Sequence, residues 1–222
     1  MRQASVGSDF GQHRCLGAGR LGRVSVAGII DRYETASAGF ARRLGAVRAD
    51  QWRLRTPCTD WNVRQLVNHM TRGNLGYVAL ARGGSAAEFL AHRDADALGA
   101  DPVGAYARSV RECLAAFRAP DALMRAVDYP LGRLPGAQAL AVRSADTLIH
   151  TWDLARAVGG DERLDPALVG WADDRLDDIY AGLAETPVAA ETTHRFFAAP
   201  DPTAPPPTSR QHALLHRFGR TP

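Results

Sequence analysis

The stretch Ser144 to Ala157, SADTLIHTWDLARA, spaces acid and imidazole so that they can meet one ligand. At about 100° per residue along a helix, Asp146, His150 and Asp153 fall on one narrow stripe, with Ala157 beneath them. Ile149 and Leu154 flank that stripe, and Leu148, Trp152 and Ala155 line much of the opposite side. A helix apolar nearly all round belongs at the centre of its domain. Two carboxylates and a histidine in such a place need a partner, because an unpaired buried charge is strongly destabilising. A divalent metal is one partner that satisfies all three; a core pair of His150 with Asp146, or a half-exposed ion pair, is the other reading of the same spacing.

A second histidine stands in a helix of suitable character. In TPCTDWNVRQLVNHMTRGN, Pro57 stops what precedes it and Thr59 or Asp60 can cap a helix whose apolar face is Val63, Leu66, Val67 and Met70, until Gly73. His69 lies at the margin of that face, where a histidine either finds a backbone or carboxylate partner or becomes a ligand. Cys58 precedes the helix N-terminus, where the dipole favours a thiolate, but a buried and unreactive thiol is the expected state. Trp61 and Trp152, each close in sequence to one of these histidines, are both expected to be buried and to shape the fold. His212 and His216 are four apart but have no acidic neighbour, and make a weak chelating pair.

The elements that must carry these residues read mainly as helices. Ile29, Ile30, Tyr33, Phe40, Leu44 and Val47 follow three-four spacing from near Val26. After the His69 helix, a further helical stretch runs from about Asn74 to Ala81, and a looser segment follows to about Gly99. Asp101-Pro102 is a cap with a first-turn proline, opening a helix to about Phe117 with Val103, Tyr106, Val110, Cys113, Leu114 and Phe117 inward. Residues 121–136 hold too many turn formers for a helix and read as an extended crossover with strand character near Met124 to Tyr129. The central helix, about Ala137 to Val158, ends at Gly159-Gly160. Asp165-Pro166 caps another to about Ala184, whose Asp173, Asp174, Asp177 and Asp178 form a solvated face. From Pro187 a proline-rich connection leads to a last short helix, capped by Ser209 and closed by Gly219. The expected organisation is an extension without ordered patterning over 1–25, dispensable for stability and metal content, a bundle over 26–186, and the connection and short helix of 187–222 packing on it.

Composition bounds the function. With 222 residues and 45% hydrophobic content, one substantial core is expected. All 27 basic residues are arginine, so Schiff-base lysine chemistry and a lysine-dependent phosphate loop are excluded. A net charge of +3 without a basic run interleaved with aromatics does not indicate a nucleic-acid partner. Cys15, Cys58 and Cys113 are too few and too scattered for a disulfide framework or a paired-cysteine zinc site, which suits a reducing cytoplasm. No apolar run is long enough to span a membrane, and no nucleophile-elbow, HExxH or dinucleotide glycine pattern is present.

Two blocks taken together, TPCTDWNVRQLVNHM at 56–70 and ADTLIHTWDLARAVG at 145–159, resemble the metal-binding domain of the mycothiol-dependent maleylpyruvate isomerases, within the wider DinB-like superfamily. The closing LLHRFGRTP is similar to the end of small single-domain members. The resemblance implies an all-α fold, an antiparallel four-helix bundle with a long crossover, here with extra C-terminal helices. It implies metal ligation, zinc or another divalent ion, by His69, Asp146 and His150; Asp153, on the same stripe, is expected to orient an imidazole. It also implies mycothiol or a similar thiol as cosubstrate, an electrophilic small molecule as second partner, and a monomer or homodimer. Asp146 stands where the family's site has glutamate, so the shorter arm must bring the helices closer or change the metal geometry. The isomerase carries a C-terminal domain for which residues 187–222 are too short. Thiol transfer to some electrophile is therefore the expected activity, ahead of maleylpyruvate isomerisation in particular; the alternative is a non-enzymatic metal- or ligand-binding bundle acting as a sensor or interaction module.

Overall fold

The central helix is buried on every side from Gly136 to Ala155 with one interruption, at Asp146. This computed structural model describes residues 26–58, 61–183, 202–203 and 206–222. The extension expected over 1–25, the caps expected at Thr59 and Asp60, and most of the proline-rich connection lie outside the described residues.

Four helices form an antiparallel bundle: α1 (Ile29–Gly45), α2 (Val63–Ala81), α4 (Pro102–Phe117) and α5 (Gly136–Val158). Each of α1 and α2 packs against both α4 and α5. Helix α1 buries Ile29, Tyr33, Ala36, Phe40 and Leu44, the three-four stripe of its sequence. Helix α2 starts one turn later than expected, at a capping box in which Asn62 Oδ1 accepts from the Gln65 amide and Gln65 Oε1 accepts from the Asn62 amide, both at 2.9 Å. It then runs through Gly73 to Ala81, joining two stretches that the sequence suggested were separate. In α4, Asp101 caps the Gly104 amide ahead of Pro102, but Val103 is exposed rather than inward because it lies in the first turn, on the outer face.

Between α2 and α4 the looser segment contains a short helix, α3 (Ala86–Ala91). The extended crossover is an antiparallel hairpin of β1 (Ala126–Tyr129) and β2 (Gly132–Pro135), paired from Ala126↔Pro135 to Tyr129↔Gly132. Its Asp128 accepts from the Ala86 amide at 2.9 Å and so ties the crossover to α3. After α5, terminated by Gly159 at φ 65°, come α6 (Pro166–Ile179) and α7 (Arg210–Arg217). Leu214, Leu215 and Phe218 bury against Leu148, Trp152, Leu168 and Val169, so α7 covers one flank of α5. The acidic face of α6 is not simply solvated: Arg210 pairs with Asp173 and Asp174, and Arg217 with Asp173 and Asp177. No helix among the described residues is long and apolar enough to cross a membrane.

Candidate metal centre

The site is built where α2 and α5 meet, and it begins with Arg143. This arginine is 1% exposed, and its three nitrogens are all committed: Nε donates to Asn74 Oδ1 at 2.8 Å, Nη1 to Asp146 Oδ2 at 2.5 Å, and Nη2 to the Met70 carbonyl. Asn74 is held in turn by the Tyr33 hydroxyl at 2.9 Å and donates to Ser109 at 3.0 Å. The guanidinium passes directly over Gly73, where a Cβ would lie 2.9 Å from Nη1. Gly73 therefore serves as a close-approach position within α2, which is why the helix continues through it.

Asp146, fixed by Arg143, faces two imidazoles. His150 Nε2 lies 3.2 Å from Asp146 Oδ1, and His69 Nε2 lies 3.8 Å from Asp146 Oδ2. One ligand atom from each of His69, Asp146 and His150 lies within 4.8 Å of the other two. His69 Nε2 is buried and has no hydrogen-bond partner among the described residues, which is unusual for an imidazole unless something else is to bind it. Trp61 lies against the His69 ring, centroids 4.5 Å apart, and 6.0 Å from the His150 ring. Of the two tryptophans expected to be buried, Trp152 is, at 1%, while Trp61 is only half-buried because it forms the outer wall of the histidine pair.

On its other side His150 is gripped from behind. Nδ1 lies 2.8 Å from Asp153 Oδ2, and Asp153 is fully buried. Both Asp153 oxygens accept from Arg220, Nε to Oδ1 at 2.7 Å and Nη2 to Oδ2 at 2.8 Å. The Cys58 sulfur completes this layer, 3.0 Å from Arg220 Nη2, 3.3 Å from Asp153 Oδ2 and 3.8 Å from His150 Nδ1. The loop that carries Cys58 and Trp61 is closed by the Trp61 amide donating to the Cys58 carbonyl at 2.8 Å and by the Thr56 amide donating to the Trp61 carbonyl at 3.1 Å. Cys58 is thus half-buried and hydrogen-bonded rather than fully enclosed. Cys58, His150 and Asp153 also satisfy the distances of a metal group, but Asp153 is already taken by Arg220 and His150 Nδ1 by Asp153. His212 and His216 join no metal group among the described residues; His212 Nδ1 is 2.9 Å from the Thr208 hydroxyl.

The electrostatics set three different protonation states. Burial pushes His69 down to about 4, so it is neutral. For Asp146, burial is outweighed by His150, His69 and Arg143, which hold its carboxyl well below the usual range. For His150, burial is outweighed by Asp146, Cys58 and Asp153, which hold the imidazole protonated well above its ordinary value in the absence of metal. Asp153 is likewise held down, by His150 and Arg220 against burial.

Tested against this geometry, a divalent ion fits: the donors are two imidazoles and a carboxylate, one imidazole nitrogen is orphaned, and the His150 ring and the Asp146 carboxylate are held from behind. Arg143 and Arg220 did not emerge from the sequence as parts of the site. For Arg143 a signal was present, since it stands three residues before Asp146 on one helix face. For Arg220 the signal was indirect: a buried Asp153 demands a cation, and in a chain without lysine that cation is an arginine.

Comparisons with known proteins agree with this architecture. Residues 33–155 match the family model described as the mycothiol maleylpyruvate isomerase N-terminal domain. An uncharacterized protein of Mycobacterium tuberculosis, found in two strains, is 34% identical over 136 residues, spanning 61% of this chain and 70% of its own length. Among solved structures, that of a mycothiol-dependent maleylpyruvate isomerase superposes with a TM-score of 0.51 at 14% identity, over 68% of each chain. A mutant of that enzyme gives the same TM-score at 13% identity, again over 68% of each chain. At these identities the structural likeness is one of fold, the DinB-like bundle.

Proposed function

We propose, from the premise that this chain belongs to the mycothiol maleylpyruvate isomerase N-terminal domain family, that it binds a divalent metal, zinc by its donor set, through His69, Asp146 and His150. We further propose that it uses the metal to transfer a mycothiol-type low-molecular-weight thiol to an electrophilic small molecule in the cytoplasm. The observation that carries this reading is the convergence of the three donors around the orphaned His69 Nε2.

Held by His69, Asp146 and His150, zinc would supply the Lewis acidity that ionises a thiol only a few per cent ionised when free at neutral pH. The protein's own residues prepare for this. Trp61 covers the outer side of the two imidazoles. Arg143 holds Asp146 so that one carboxylate oxygen faces each histidine, and the close approach over Gly73 suits the shorter aspartate arm. Asp153 accepts a hydrogen bond from His150 Nδ1–H, which leaves Nε2 turned toward Asp146. Charge argues in the same direction. Arg143 matches Asp146 and Arg220 matches Asp153, so the protein leaves the charge of a bound dication uncompensated, and an anionic ligand such as a thiolate is favoured.

The same pairing supports a second reading, a self-satisfied ion-pair network without metal, because of the three candidate ligands only His69 has a buried nitrogen with no hydrogen-bond partner among the described residues. Metal analysis of untagged protein decides between them, followed by thiol consumption against a panel of electrophiles for wild type, chelator-treated protein and His150→Ala. The expected result is zinc in near-equimolar amount and thiol transfer in the wild type alone. Equal rates in all three would reject thiol transfer at this site, and protein free of metal after zinc loading would leave the ion-pair network.

A further inference from the structure

We infer that Arg220 is a positioning residue for the His69, Asp146 and His150 centre, acting through Asp153 to fix the His150 ring; the inference rests on the metal reading above. Arg220 reaches Asp153 from the last turn of the described chain, 67 residues away in sequence. It is 6% exposed, an uncommon degree of burial for an arginine. Its fork engages both carboxylate oxygens, Nε on Oδ1 and Nη2 on Oδ2, while Nη1 donates to the Phe218 carbonyl at 3.1 Å. A carboxylate held at both oxygens cannot rotate, so the oxygen that meets His150 Nδ1 at 2.8 Å keeps its direction, and the ring keeps Nε2 toward Asp146. A single charge placed nearby would balance Asp153 without setting that plane.

The way α7 ends explains how a C-terminal residue is aimed so closely. Gly219 adopts φ 67°, its amide donates to the His216 carbonyl at 2.9 Å, and the Arg220 amide donates to the Leu215 carbonyl at 3.0 Å. This pair of bonds is the Schellman termination, which turns the chain sharply back on its helix. Leu214, Leu215 and Phe218 anchor the helix in the core beside Trp152, one residue from Asp153. The C-terminal helix therefore delivers one side chain beneath the metal centre.

The test is a double-mutant cycle read by zinc affinity, from competition with a chromophoric chelator, and by the visible spectrum of the cobalt-substituted protein. Arg220→Gln is expected to weaken zinc by about 10 to 100-fold and to change the cobalt spectrum. In the Asp153→Asn background the same substitution is expected to weaken zinc by less than about 3-fold, because its route to His150 is already cut. Arg220→Lys keeps the charge opposite Asp153, and thus the fold, but loses the fork; it is expected to remain weakened by about tenfold. Equal losses in the two backgrounds, or wild-type zinc affinity in Arg220→Gln or Arg220→Lys, would overturn the role of Arg220 while leaving the metal site standing. A wild-type protein that takes up no zinc would instead overturn the metal reading beneath it.

Discussion

The three candidate ligands meet a metal in different protonation states, and that difference is measurable. With His69 neutral, its value lowered to about 4, and Asp146 ionised, only His150 must give up a proton, the one on Nε2. Zinc competes with that proton, so apparent affinity should rise by about tenfold per pH unit above pH 4 and level off once His150 of the metal-free protein titrates, above its ordinary value. Calorimetry in buffers of different ionisation heat should show about one proton released at pH 7. A pH-independent affinity would remove His150 from the ligand set. His150→Ala should abolish tight binding, since two ligands on separate helices cannot hold zinc against chelators, whereas Asp153→Asn should cost about 10 to 100-fold. Comparable losses in the two variants, measured by dialysis against a zinc buffer, would contradict this ordering. The histidines and Asp146 were legible in the sequence because their spacing sits on apolar helix faces. Asp153 was read from the same stripe, but Arg220 behind it was not, because it is brought to Asp153 only by the docking of α7.

At the scale of elements, what the sequence conveys is what is decided locally. Asp101, Ser209 and Gly159 mark helix boundaries because a cap or a left-handed glycine acts within one turn, and in the structure the first two start helices and the third ends one. Gly73 reads as a helix end from the sequence because a mid-helix glycine has no local justification; its reason is a guanidinium from another helix, 70 residues later, which no local pattern contains. The acidic face of α6 misleads for the same reason, its arginine partners belonging to α7. A prediction follows for α2. Gly73→Ala should gain about 1 kcal/mol of helix propensity, yet the new methyl must displace Arg143 Nη1 and with it the hold on Asp146. Zinc affinity should therefore fall even where the melting temperature of the metal-free protein does not. Unchanged zinc affinity in Gly73→Ala would show that Asp146 does not depend on that contact.

For the whole molecule, the site is set among apolar clusters that do not include its three candidate ligands. One joins α1, α2, α4 and the hairpin to the first half of α5, another joins the second half of α5 to α6 and α7, and a third packs Leu154 against α1, α2 and α4. None needs a metal to hold its helices together. The charged groups between them are also matched in pairs, Arg143 with Asp146 and Arg220 with Asp153, so removal of a metal strands no buried carboxylate. Chelation should accordingly leave the far-ultraviolet circular dichroism unchanged at 25 °C. It should lower the stability by no more than binding linkage supplies, about 2.7 kcal/mol when free zinc stands 100-fold above its dissociation constant. Small zinc-organised domains behave oppositely, unfolding when the ion is withdrawn because the ligands are their core. If this chain lost its helices on chelation, the pairing of arginines with aspartates would not be what holds α5 in place, and the metal would have to be counted as part of the fold. Retention of helix with loss of the proposed thiol transfer is the outcome that a preformed site on a self-sufficient bundle requires.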